Sequence, residues 1–288
     1  MEDRASGLAK ELIQLSRSDA SAAVDDVATR TFDMLAEVAN DVHTTSRGSI
    51  KGSVRLLLIN SNALLFYLLL LARALVDSNW SSRYAAIFLE TSVLPKIRAA
   101  DSVISRVLLQ TALRFGSVYA GALVDSLLLP LLVGSKAGDP DTVFGPAQAE
   151  AITRILRSPD TVPADQLDDF IQRSLSGMVT SQGINSSFHL LANESTLLVY
   201  QNILNAKPVL SALTVERFIG ACEAVLERPD GEQLRGSLKF ATVIFTLISK
   251  YPQQCAGHLE TLEAIANQLT SIMAKTTVRS LQKLKAKK

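Results

Sequence analysis

The sequence predicts an all-α protein: short antiparallel helix pairs stacked side by side into an elongated, HEAT-like array of degenerate helical repeats. Three observations predict it. Apolar residues recur at helical spacing along nearly all of the 288 residues, and no stretch alternates convincingly as a half-buried strand does. Prolines and glycines then cut the pattern into helix-sized pieces joined by short turns, the arrangement of neighbouring antiparallel helices. The length exceeds the usual single domain, which suits either two domains or one stack of repeated units. Hydrophobic residues make up 48% of the chain and charged residues 20%, which excludes a disordered chain. Aromatics are only 6%, so the core must be mainly Leu, Ile, Val and Ala. No exact sequence repeat is visible, so a repeat array here is degenerate.

Taken in order, the N-terminal stretch MEDRASGLAKELIQ is polar and acidic, and no secretory leader is expected. Two cysteines, Cys222 and Cys255, are too few for a disulfide framework and suit a reducing compartment. The glycosylation-type triplets at Asn79, Asn185 and Asn193 then carry no meaning. Val24, Val27, Ala28, Leu35, Val38 and Val42 trace one face of an early helix. Residues 63–72, ALLFYLLLLA, lie between Asn60-Ser61-Asn62 and Arg73; a bilayer span needs roughly 20 apolar residues, so they read as a buried core helix. Residues 123–133 are equally apolar, and Pro130 should kink or end their helix.

The widest composition shift is the loop GSKAGDPDTVFGP at 134–146. It divides the chain into an N-terminal helical part, 1–133, and C-terminal helical repeats, 147–288. Beyond it Pro159, Pro163, Gly177, Gly183, Pro208, Pro229-Asp230-Gly231, Pro252 and Gly257 mark turns. Val215, Phe218, Ile219, Cys222, Val225 and Leu226 share one helix face. Leu259, Leu262, Ile265, Leu269, Ile272 and Met273 form one further helical stripe. The chain ends in a basic segment with Arg279, Lys283, Lys285, Lys287 and Lys288.

No catalytic constellation emerges. The loop at 134–146 offers Gly134, Gly138, Gly145 and Ser135-Lys136, but without the spacing or preceding strand of a phosphate-cradling loop. Asp139 and Asp141 read as turn residues. His43, His189 and His258 are far apart and form no metal-ligand cluster. Cys222 lies on an apolar stripe, where a thiol is a core residue rather than an activated nucleophile. A net charge of +1 gives no global reason to bind nucleic acid or an anionic membrane. No catalytic residue, cofactor, metal or small-molecule substrate is expected, and the chain reads as an interaction protein. The basic end stays open between two readings. It is a solvated helix terminus favoured by a few tenths of a kcal/mol per cation, or an anchor for an acidic partner surface, nucleic acid or nuclear import.

The tract Gly236-Ser237-Leu238-Lys239-Phe240-Ala241, followed by Ile248-Ser249-Lys250-Tyr251, resembles the C-terminal helical region of the Fanconi anaemia group E family. Ser271-Ile272-Met273-Ala274-Lys275-Thr276 and Arg279-Ser280-Leu281-Gln282-Lys283-Leu284 are similar to that family's last elements. Glu194-Ser195-Thr196 with Gln201-Asn202-Ile203-Leu204-Asn205, and AEAITRIL at 149–156, extend the likeness upstream. It covers roughly 123–288 and fades before that to helical patterning. The resemblance implies a nuclear, non-catalytic adaptor of the Fanconi core ubiquitin-ligase assembly. Such an adaptor binds the group C subunit and recruits the Fanconi D-two clamp protein for monoubiquitination in interstrand crosslink repair. It also implies Ile272 and Met273, with Lys275 and Arg279 beside them, as a contact for the D-two clamp. Against this, Ile272 and Met273 lie on the Leu259 stripe and could simply be core. Leucine-rich residues 56–75 and 123–133 supply the apolar excess expected of group C binding. An unrelated HEAT-like interaction scaffold remains the alternative.

Overall fold

The computed structural model describes residues 81–133, 144–158, 161–176, 189–228 and 231–286. The stripe at 24–42, the apolar run at 56–75, His43, Asn79, Asn185, Lys287, Lys288 and most of the 134–146 loop lie outside them. Among the described residues every regular element is helical, so the fold is all-α as the periodicity predicts. The chain divides into two compact units, one of residues 1–130 and 157–162, the other of 131–156 and 163–288. The border falls beside Pro130, a few residues ahead of the expected loop, and 157–162 belong with the first unit.

In the first unit α1 (Ser82–Phe88) leads through a wide π turn, Leu89–Val93, into α2 (Leu94–Arg98). The long α3 (Arg106–Leu123) leads through a second π turn, Val124–Leu128, into α4 (Leu129–Val133), in which the border between the units falls after Pro130. In each turn a backbone N–H reaches back five residues, Leu94 to the Leu89 carbonyl and Leu129 to the Val124 carbonyl. In each case a proline follows at once, Pro95 or Pro130. Proline has no N–H and its ring clashes with the carbonyl four residues back in a regular helix. The wide turn shifts the hydrogen-bond frame just where the donor is missing, so the helix runs on to Val133 instead of ending at Pro130.

The two segments match at several positions at an offset of 35. Ser82 matches Ser117, Tyr84 matches Tyr119, Ala85 matches Ala120, Glu90 matches Asp125, Thr91 matches Ser126, and Leu94-Pro95 matches Leu129-Pro130. The two π turns pack against each other, and the Arg98 guanidinium donates to the Pro130 carbonyl at 2.8 Å. Inexact pairing hides this correspondence from a search for identical repeats. The shared position of the wide turn exposes it.

Phe88 of α1 stacks on Phe115 of α3 with ring centroids 5.1 Å apart, and Tyr119 breaks the regular helix of α3 with φ −125° and ψ 52°. The run 106–133 is long and apolar enough to cross a membrane by length and composition alone. More than half of its most apolar stretch is buried, as in the core helix of a folded domain.

The second unit comprises α5 (Pro146–Arg157), α6 (Ala164–Ser176), α7 (His189–Ala192), α8 (Glu194–Ala206), α9 (Ala212–Leu226), α10 (Gly231–Gly236), α11 (Leu238–Lys250), α12 (Pro252–Cys255), α13 (Leu259–Gln268) and α14 (Ala274–Lys285). Polar side chains start the main helices. Asn193 Oδ1 accepts from the N–H groups of Ser195 and Thr196 at the head of α8. Ser211 caps α9 through Thr214, and Ser237 caps α11 through Phe240. Each such cap is worth about 1 kcal/mol.

Packing then orders these helices in two rows. In one row α8 packs on α11 and α11 on α14; in the other α6 packs on α9 and α9 on α13. Neighbours within a row run in the same direction. Lys239 pairs with Glu194 at the start of α11 and α8, at 3.0 Å. At their far ends the Tyr251 hydroxyl donates to the Pro208 carbonyl, at 2.9 Å. Likewise Asp168 accepts from the Ser211 N–H at 3.0 Å and Arg217 donates to Ser176 at 3.2 Å, which aligns α6 with α9. The predicted face of Val215, Phe218, Ile219, Cys222, Val225 and Leu226 is buried throughout.

Gly116 is where the first unit tolerates least. A Cβ built there would lie 2.1 Å from Thr161 Cγ2 and 2.9 Å from Leu123 Cδ2, and Thr161 is itself buried. Gly116→Ala is therefore expected to destabilise the protein by about 1–3 kcal/mol, overcoming a helix-propensity gain of about 1 kcal/mol. Combined with Thr161→Ala it should recover most of the loss. Urea unfolding of the two single variants and the double variant measures the coupling.

Candidate interaction surface

The C-terminal stripe does not run as one helix. Helix α13 ends at Gln268, and Leu269 turns extended with φ −73° and ψ 132°. The next N–H, of Thr270, donates to the Arg235 carbonyl at 2.8 Å instead of continuing the helix. Leu262, Ile265 and Leu269 are buried and Leu259 half-buried, as the stripe predicts, but its period stops there. Ile272 lies beyond the stop and is 86% exposed, the highest value for a large hydrophobic side chain among the described residues. The core alternative for Ile272 is thereby overturned. Met273 is half-buried at the start of α14, where its carbonyl accepts from the Thr277 N–H and hydroxyl. The tract at 271–276 thus forms a turn and a helix start rather than a helix end.

Helix α14 buries Thr277 and Leu281. At 100° per residue, Lys275, Arg279 and Lys283 fall on the opposite flank, one turn apart from each other, and all three are exposed. Among the described residues none of their side chains makes a hydrogen bond or ion pair. Three other cations of this unit are paired: Lys285 meets Glu263, Lys239 meets Glu194 and Arg173 meets Asp169. Like charges four residues apart on a helix cost a few tenths of a kcal/mol each, so the flank is electrostatically unsatisfied among the described residues. Residues 264–288 contain six Lys and Arg and no Asp or Glu, so a chain of net charge +1 carries −5 over the remainder.

The Thr270–Arg235 bond also sets Ile272 at the end of the unit where α11 begins. There Leu238, in the first turn of α11, is 49% exposed. Nothing in the sequence marks this exposure, because helical spacing alone does not separate a cap-adjacent leucine from a core one. At the other end, in the turn after α8, Val209 is 82% exposed. It follows Lys207, which closes α8 with φ 53°, a conformation side chains with a Cβ avoid.

The candidates for chemistry remain dispersed. Cys222 and Cys255 are buried free thiols; burial raises the Cys222 thiol and pushes that of Cys255 up to about 12. Among the described residues no three His, Cys, Asp or Glu side chains come together to hold a metal ion. His258 lies at the head of α13 and His189 opens α7. Set against known proteins, the chain matches no family model and no curated protein.

Both thiols should stay unmodified by an aromatic disulfide reagent at pH 8 in the native protein and react together once urea unfolds it. Their raised values also fix a sign. The stability they contribute is complete below the unfolded thiol value of about 8.5 and is lost as pH rises from there through the folded value. Urea midpoints at pH 8 and pH 10 should therefore fall in that order, with a shallower fall in Cys255→Ala.

Proposed function

We propose that this chain is a non-catalytic adaptor of a Fanconi-type core ubiquitin-ligase complex. It acts in the nucleus and bridges the group C subunit and the D-two clamp, promoting monoubiquitination of the clamp in interstrand crosslink repair. The observation that carries the reading is Ile272. The position where the family resemblance implies a clamp contact is also the most solvent-exposed large hydrophobic of the described residues. An exposed aliphatic beside unpaired cations is costly to keep on a free surface and useful in an interface. In this reading the helices form a HEAT-like stack, and its apolar turns and flanks carry the partners.

A second reading, an unrelated helical interaction scaffold, is favoured by a specific observation. Ser237, one of the polar markers of the resemblance, caps a helix, a role any helical array demands.

Affinity purification of the tagged full chain from its own cells after crosslinker treatment separates the two. The adaptor reading expects the group C subunit and the D-two clamp among the captured proteins. It also expects Ile272→Asp to weaken clamp capture at least about tenfold, the range of an interface anchor, with helicity and group C capture unchanged. Capture of neither protein by the wild-type chain rejects it.

A further inference from the structure

The flank of α14 has two properties that together specify what it can hold. Lys275, Arg279 and Lys283 stand one helical turn apart, about 6 Å between neighbours, and at the N-terminal end of that row stands Ile272, 86% exposed. A ligand that satisfies both carries negative charges at about the same interval and an apolar group at one end. An extended peptide repeats every second side chain at about 6.6 Å, so alternate acidic residues meet successive cations. We infer that this face receives an acidic peptide segment of a partner protein, anchored by an apolar side chain over Ile272. The inference rests on reading Ile272 as a partner contact and adds the chemistry of what it contacts.

A nucleic acid fits the same face less well. Phosphates make no use of an exposed aliphatic, and tight duplex binding is built on many phosphate contacts, whereas this row offers three cations within the described residues. The net −5 carried by residues 1–263 also opposes a long polyanion, while a short acidic segment meets only the basic end. A peptide, by contrast, gains from both halves of the surface. Charge gives it orientation and rate of encounter, and the desolvated aliphatic contact gives it residence time.

The test uses the full chain and a fluorescein-labelled peptide of about twelve residues, alternating Glu and Ser with a Leu-Phe pair at one end, read by anisotropy at low salt. The expected result is saturable binding that weakens at least about tenfold when Gln replaces Glu in the peptide, or in K275E/R279E/K283E, and about three- to tenfold in Ile272→Ser. Unchanged far-ultraviolet circular dichroism shows each variant folded. The variants alter exposed side chains without partners in the described structure, so they keep its contacts intact. Equal binding of the Gln peptide, or an affinity unmoved by the triple reversal, overturns the inference. So does tighter binding of a DNA strand of about 20 nucleotides, lost in the same triple variant; that result would assign the face to nucleic acid. No Fanconi protein is present in this assay. A failed peptide alongside clamp capture still sensitive to Ile272→Asp rejects the partner chemistry alone. Peptide binding without clamp capture rejects the adaptor reading alone.

Discussion

In the second unit three helices meet at the hydroxyl of Tyr200. The side chain projects from α8 and is fully buried, its oxygen 2.8 Å from Ser174 Oγ of α6 and its ring edge-on to Phe218 of α9 at 5.3 Å. Burial holds the phenol in its neutral form, so the hydroxyl is a fixed polar point in an apolar core, answered by Ser174. A helix of 13 residues such as α8 is marginal on its own in water. It persists because its face packs on α11 and α7, while Tyr200 ties it to α6 and α9. From α8 the order propagates: α11 takes its register from the Glu194–Lys239 and Pro208–Tyr251 contacts at its two ends, and α14 packs on α11.

How much of this is legible in the sequence depends on the range of the interaction responsible. The helical class, the buried face of α9 and the core thiol Cys222 follow from spacing between residues a few positions apart, which a sequence displays directly. The stop after Leu269 does not, because its cause is the carbonyl of Arg235, brought to Thr270 by the packing of helices rather than by proximity in the chain. For the same reason the stripe from Leu259 to Met273 reads as continuous in sequence and is broken in space. Of the kink or end expected at Pro130, the end does not occur, for a different reason: the rule that proline ends a helix assumes a regular frame upstream, and here the frame is already shifted by the π turn.

The candidate surface is partly legible. That Lys275, Arg279 and Lys283 share a flank is a matter of periodicity, and the lack of acidic residues around them can be counted. Whether Ile272 faces solvent is not decided by spacing, since an aliphatic at helical spacing belongs to the core by default. The polar residues that lend the family resemblance its detail have plain structural work. Ser237 starts a helix, and Tyr251 joins two turns through Pro208. Such residues stand out in a sequence because backbone geometry restricts them, so they speak more strongly about fold than about partners.

The paired wide turns of the first unit carry an implication for how this segment can change over time. A π turn amounts to one extra residue within a helix. Deleting a residue from 124–128 would restore a regular frame and rotate everything before it by about 100° relative to α4, while placing Pro130 where its ring meets a carbonyl. Replacing Pro130 alone would leave the surplus residue without its companion. The extra residue and the proline are thus tied to each other in each segment, and substitution can loosen nearly every other position of the correspondence between 82–95 and 117–130 before it loosens that one.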